Sequence, residues 1–220
     1  MKRPRIVAVS GFVSDVGKTT LMCKLLRACP GWEAIKITRG HYRSCGKDPH
    51  SCCVSHLLTE EAIIHSGRDE TYALEKDTGR YWDAGASNVH WVIVKDGQVE
   101  SGVTEALSRV AAPGVLIEGT SFLDFVRADF VIMVSRTHGS TVKSSARRAL
   151  RHSTAIYLSG ASGDNDGRQQ FANWVAQSGL DQNLISSLPI YTEPNLANLV
   201  TLVRGNDVAT VLNPAGVECF

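Results

Sequence analysis

The residues most able to do chemistry lie at the start of the chain. Residues 5–20 read Arg-Ile-Val-Ala-Val-Ser-Gly-Phe-Val-Ser-Asp-Val-Gly-Lys-Thr-Thr. The apolar run Ile6 to Val9 predicts a buried strand, and Ser10-Gly11 a turn after it. Gly17-Lys18-Thr19-Thr20 then opens an amphipathic helix with Leu21, Met22, Leu25 and Leu26 at its apolar positions. Strand, glycine turn, Gly-Lys-Thr and helix together make a phosphate-binding loop. Its candidate nucleotide-binding residues are Gly11, Ser14, Asp15, Val16, Gly17, Lys18, Thr19 and Thr20. Such a loop aims backbone N–H groups at phosphate oxygens, and the helix N-terminus adds partial positive charge. Lys18 would reach the β- and γ-phosphates, and the Thr19 hydroxyl would hold Mg²⁺. The usual spacing places four residues between the two glycines; here five separate Gly11 from Gly17.

The second signal is Val115-Leu116-Ile117-Glu118-Gly119, an apolar strand that ends in a carboxylate. A phosphate-loop protein needs an acid there for Mg²⁺ or its water shell, which makes Glu118 the candidate metal acid. The third is Lys36, at the end of the predicted strand Glu33–Thr38, where an ammonium could neutralise phosphoryl charge or hold an acceptor. The fourth is the stretch Lys76-Asp77-Thr78-Gly79-Arg80-Tyr81-Trp82-Asp83-Ala84-Gly85-Ala86, whose local reading is a helix start with Asp77 or Thr78 as the cap.

The fifth signal is a cluster. His41, Cys45, His50, Cys52, Cys53 and His56 put three of six cysteines and three of seven histidines within residues 41–56. Thiolates and imidazoles at short spacing suit Zn²⁺ or another soft metal. Cys45, Cys52 and Cys53 are the candidate thiolate ligands, with His56 or His41 as the nitrogen ligand. The spacing matches no standard zinc motif, and an ordinary substrate-covering loop is the alternative.

The elements that must position these groups alternate between strand and helix. Further strands are expected at 91–94, 114–118, 130–134, 154–158 and near 188–191. Helices are expected near 55–64, 103–110, 141–152 and 168–177, and a last one from about Asn195. This order predicts an α/β fold with a mostly parallel sheet flanked by helices, in which ligands bind at the carboxyl ends of the strands. Residues 39–81 interrupt it as an inserted segment in a single domain spanning 1–220. Two loops at the ligand edge are further candidates: Ser135 to Ser140, with Arg136 or His138 facing phosphate or acceptor, and Tyr191 to Asn195, near the base.

Residues 6–20, 32–38, 76–86 and 114–119 resemble the SIMIBI class of phosphate-loop proteins, which includes dethiobiotin synthetase, the MobB adaptor and the nickel-insertion GTPases. Gly-x5-Gly-Lys-Thr with Asp15-Val16 looks most like dethiobiotin synthetase. Leu-Ile-Glu-Gly is similar to the Val-Glu-Gly strand end of dethiobiotin synthetase and MobB, and both place a lysine at the Lys36 position. The 76–86 stretch resembles segments of both families, which select different Mg²⁺ acids, Asp77 and Asp83; Asp77 is preferred here. The resemblance implies Mg²⁺-dependent ATP or GTP hydrolysis or phosphoryl transfer in cofactor biosynthesis, with Lys18 and Lys36 catalytic and Thr19, Glu118 and Asp77 on Mg²⁺. Two alternatives are a non-catalytic GTP-binding adaptor and a metallochaperone NTPase that uses the Cys/His cluster. The Asn-Lys-x-Asp guanine motif is absent, which slightly favours ATP or a loose base preference and leaves both ATP and GTP open.

Bulk properties exclude other classes. The chain has 220 residues, 43% hydrophobic and 20% charged, with a net charge of +1, which gives no footprint for nucleic acid or an anionic membrane. The apolar run after the basic residues Lys2 to Arg5 is too short for a signal peptide, which predicts a cytoplasmic protein with reduced thiols. The expected partners are a nucleoside triphosphate and a small-molecule acceptor or partner enzyme, with a homodimer as a candidate assembly.

Overall fold

The structure is a computed structural model that describes residues 3–40, 57–139, 141–161 and 165–205. Eight strands form one sheet: β1 (Arg5–Gly11), β2 (Glu33–Arg39), β3 (Ile63–Ser66), β4 (Val89–Val94), β5 (Gly114–Glu118), β6 (Phe130–Ser135), β7 (Ala155–Leu158) and β8 (Ile190–Tyr191). Their order is β3-β4-β2-β5-β1-β6-β7-β8. Every pairing is parallel except β3 with β4. The helices are α1 (Lys18–Ala28), α2 (Arg68–Thr71), α3 (Asp77–Asp83), α4 (Val99–Ser108), α5 (Ser144–Ala149), α6 (Asn165–Ser178), α7 (Gln182–Ser186) and α8 (Leu196–Arg204).

The central strands are apolar along their whole length because helices cover both faces of a parallel sheet. Val7, Ala8, Val9, Val115, Leu116 and Ile117 are fully buried. α1 seats Leu21, Met22, Leu25 and Leu26 in this core, as its apolar spacing predicts. Each fully buried leucine contributes about 2 kcal/mol of transfer free energy. Cys23 and Cys29 are also buried, so these two thiols are core residues.

One expected helix, near 55–64, is not seen among the described residues. Residues 57–64 contain no α-helix, and Ile63-Ile64 begin β3 instead. The two β-branched residues pair with Ile93 and Val92 of β4, which would otherwise be the sheet edge. The described part of the 39–81 stretch therefore extends the sheet and returns the chain to α3.

Strand order decides which residues meet. β5 lies between β2 and β1, so Glu118 is in register with Lys36 on one side and Val9 on the other. At the opposite edge, Glu33 is buried and accepts the N–H groups of Ala111 (3.0 Å) and Ala112 (2.9 Å). Its other oxygen is 2.8 Å from His90 Nε2, and His90 Nδ1 is 2.8 Å from Ser66 Oγ. This polar set fastens β3, β4 and β2 together at the edge away from the phosphate loop. Among the described residues, no helix is long and apolar enough to cross a membrane.

Candidate functional site

The loop between β1 and α1 is shaped by two glycines. Gly17 has φ +94°, and a Cβ there would collide with Ser159 Oγ at the end of β7. Gly11 needs space: a Cβ would lie 2.8 Å from Val16 Cγ2 and 3.1 Å from Lys18 Cδ. Within the long spacing, Asp15 adopts φ 56°. Asp tolerates the left-handed region better than most side chains. Phe12, Val13 and Val16 turn into the core, whereas Ser14 and Asp15 stand exposed. Of the residues expected to bind nucleotide, Val16 can therefore offer only its backbone. Thr20 is exposed, and its hydroxyl accepts from Arg80 (3.4 Å).

Lys18 is partly buried beside this loop. Burial lowers its pKa, Lys36 and Lys143 add to that, and Glu118 opposes it. Lys143 was not anticipated from sequence. Its backbone N–H donates to Phe12 O (3.2 Å), which brings a second, exposed cation to the phosphate loop.

Glu118 is the centre of the site. Its side chain is 4% exposed, and three groups converge on it. Thr19 Oγ1 donates to Oε2 (2.9 Å), the Lys36 ammonium lies 2.6 Å from Oε1, and the Tyr81 hydroxyl donates to Oε2. Lys36 also lies 2.6 Å from Asp77 Oδ2. Burial alone would lower the Lys36 pKa, but Glu118 and Asp77 outweigh it and raise it. Asp77 shows the converse: burial pushes its pKa up, and Lys36 with the Thr19 hydroxyl pulls it below the ordinary carboxylate value. Tyr81 is completely buried, and that burial with the adjacent Glu118 charge raises its pKa well above 10, so it stays a donor.

Of the two aspartates of α3, Asp77 joins this cluster. Asp77 opens α3 and faces Lys36 and Thr19, while Asp83 ends the helix exposed to solvent. Tyr81 is one helical turn beyond Asp77 and so shares its face. That spacing was the signal by which Tyr81 could have been found.

Thr19, Glu118 and Asp77 offer hard oxygen ligands in a partly dry site, which fits Mg²⁺. The two carboxylates already hold one cation between them, the Lys36 ammonium. Among the described residues, no group of three or more His, Cys, Asp or Glu side chains could hold a metal ion. Cys45, Cys52, Cys53, His56 and His41 lie outside the described residues, so the expected soft-metal site is untouched by this structure.

The remaining candidate loops follow β6 and β8. Arg136 and His138 are exposed, with His138 Nδ1 3.2 Å from its neighbour Thr137. After β8, Glu193 accepts from the Tyr157 hydroxyl (2.7 Å) and pairs with Lys24 of α1. This linkage draws the 191–195 turn, the end of β7 and α1 together around the far side of the phosphate loop.

No family model and no curated protein sequence matches the chain. Solved structures do. HypB from Helicobacter pylori in complex with nickel superposes with a TM-score of 0.50 at 10% identity, covering 98% of this chain and 92% of that one. A zinc-bound triple mutant of the YjiA GTPase gives 0.43 at 13% identity, covering 87% of this chain and 58% of that one. A nucleotide-binding protein from Archaeoglobus fulgidus in complex with ADP, with cobalt, gives 0.39 at 16%, covering 91% and 86%. These are likenesses of fold, and the superposition on HypB shows that the chain has an α/β P-loop NTPase-like fold, an eight-stranded, mostly parallel sheet flanked by helices.

Proposed function

We propose that the protein is a Mg²⁺-dependent P-loop NTPase that binds ATP or GTP and hydrolyses it or transfers its terminal phosphoryl group. The observation that carries this reading is the convergence of Thr19, Lys36, Asp77 and Tyr81 around buried Glu118, beside a glycine-shaped phosphate loop. Loop N–H groups and Lys18 bind the phosphates. Thr19, Glu118 and Asp77 are the ligands for Mg²⁺, which would supply charge neutralisation at the phosphate oxygens. Lys36 adds a fixed positive charge where negative charge develops on the transferred group, in a site that excludes much of the water. Tyr81 holds the Glu118 carboxylate in one orientation without competing for its charge. The motif resemblance to dethiobiotin synthetase and MobB supports a role in cofactor biosynthesis, in which a partner enzyme or a small acceptor is the second participant.

The test is calorimetry with ATP and GTP, with and without Mg²⁺, together with phosphate release. Lys18→Ala should weaken binding of the nucleotide. Glu118→Gln should retain much of the binding and lose most Mg²⁺-dependent turnover. Unchanged affinity in folded Lys18→Ala would overturn the nucleotide assignment.

A metal-handling NTPase is the second reading, favoured by the concentration of thiols and imidazoles in residues 41–56. Nickel, present in the HypB structure, and zinc are the ions to assay on untagged protein. Stoichiometric metal that disappears in a Cys52→Ser/Cys53→Ser variant would support it.

A further inference from the structure

A cavity of about 350 Å³ opens against the Lys36–Asp77 pair, on the side of the cluster that faces β4 and α2. Its size is within the range of small-ligand sites. Trp91 and Tyr72 are its two aromatic walls, and Thr38, Thr71, Ala73 and Thr78 complete the lining. Neither ring is loose. Trp91 Nε1 donates to Thr38 Oγ1 (2.8 Å), and the Arg68 guanidinium lies 4.2 Å from the Tyr72 ring centroid. Rings anchored in this way offer apolar area with little ordering left to do when a ligand binds.

Four charged residues border the cavity: Lys36, Glu70, Lys76 and Asp77. Three are committed. Lys36 is paired with Asp77 and Glu118. Glu70 Oε2 accepts from Ser66 N (2.9 Å) and lies 3.6 Å from His65 Nδ1. The Lys76 ammonium is exposed and makes no ion pair or side-chain hydrogen bond among the described residues. The uncommitted charge on the rim is therefore a cation, and the body of the cavity is aromatic.

We propose that this cavity binds a small organic acid beside the nucleotide phosphates, its flat apolar body against Trp91 and Tyr72 and its carboxylate on Lys76. This deepens the NTPase reading by giving the site a class of second ligand, and it rests on that reading only in taking Lys36 and Asp77 as a shared wall. The charge of the ligand is set by Lys76, and its shape by the two rings. A cationic or neutral ligand of the same body would leave Lys76 unpaired and should bind less tightly.

The experiment uses three probes with one body and different head groups: phenylacetate, phenylacetamide and phenethylamine. Each is titrated into the full chain by ligand-observed NMR and calorimetry. Phenylacetate is expected to bind with a Kd on the order of 1 mM. The amide and the amine should bind about tenfold more weakly, the cost of losing one charge-assisted contact. Lys76→Met should weaken phenylacetate by a similar factor and leave ATP and GTP affinity unchanged. Tyr72→Ala, at an exposed position, should weaken all three probes in a variant whose thermal unfolding shows it folded. Equal binding of the three head groups, insensitivity to Lys76→Met, or no binding of phenylacetate would each overturn the proposal. So would phenylacetate binding that falls with Lys18→Ala but not with Lys76→Met, because the probe would then sit in the phosphate loop. Phenylacetate binding in a chain that binds no nucleotide would leave the cavity assignment standing and remove the NTPase reading.

Discussion

The Lys36 ammonium lies 2.6 Å from Asp77 Oδ2, and through that contact α3 is tied to the strand beside Glu118. Lys36 is also the counter-ion of the buried Glu118, so its removal leaves two carboxylates facing each other. Lys36→Met should destabilise the protein by on the order of 3 kcal/mol in metal-free buffer, as expected for an ion pair broken from one side. Mg²⁺ should restore part of that loss in the variant and add less to the wild type, because a divalent cation can replace the missing charge. Urea unfolding with and without Mg²⁺ measures both. Equal Mg²⁺ effects in the two proteins would show that the carboxylates do not share a cation site.

Tyr81→Phe removes a donor from Glu118 Oε2 and keeps the packing of the buried ring. The expected stability loss is about 1–2 kcal/mol, since among the described residues Oε2 then retains the Thr19 hydroxyl as its donor. Turnover should fall several-fold while nucleotide affinity stays near wild type, because the tyrosine orients the acid and is not expected to touch nucleotide. Steady-state phosphate release and calorimetry separate the two quantities. A fall in nucleotide affinity with unchanged turnover would count against a positioning role.

Stability should depend on pH at both ends through the same ion pair. Asp77 has a folded pKa below its ordinary 3.8, held there by Lys36 despite burial. Its contribution is present above 3.8 and is lost as pH falls through the folded value. Lys36 has a folded pKa above its ordinary 10.5, because the carboxylates outweigh its burial. Its contribution is full below 10.5 and is lost as pH rises through the folded value. Glu33 and Asp129 also have lowered values in spite of burial, through His90 and the 111–112 amides for one and through Ile6 N–H and Arg3 for the other. The acid limb should therefore persist in part in Lys36→Met, and the alkaline limb should become shallower without vanishing, because burial also raises Tyr81, Tyr157, Tyr191, Cys23 and Cys29. Urea midpoints across a pH series give both slopes.

Gly17→Ala meets two obstacles, the left-handed φ of +94° and Ser159 Oγ. Nucleotide binding should be lost, and stability should fall by about 1–2 kcal/mol from the backbone conformation alone. Adding Ser159→Gly should relieve the collision and recover part of the stability, but not the conformational part. Thermal unfolding of the single and double variants tests this. Full recovery in the double variant would mean that the backbone conformation costs nothing.

The phosphate loop was readable from sequence because its requirements are local. A glycine for close approach, a glycine for positive φ, a lysine and an apolar helix face all fall within residues 5–26, and no distant contact is needed to recognise them. The apolar strands of an α/β sheet are legible for the same reason: burial on both faces leaves continuous runs such as Val115-Leu116-Ile117. Glu118 could be picked out as the polar end of such a run.

What tertiary structure decided was proximity. Sequence order does not state that β5 lies between β2 and β1, and it is this order that puts Glu118 in register with Lys36. It does not state that Asp77 lies against Lys36 while Asp83, at the other end of α3, is exposed. Nor does it separate a helix from an edge strand at Ile63-Ile64, because a short apolar run satisfies either period until a partner strand is present. Ser159 shows the same limit. Its place against Gly17 comes from a strand far along the chain, and nothing in the local pattern of either residue encodes that contact.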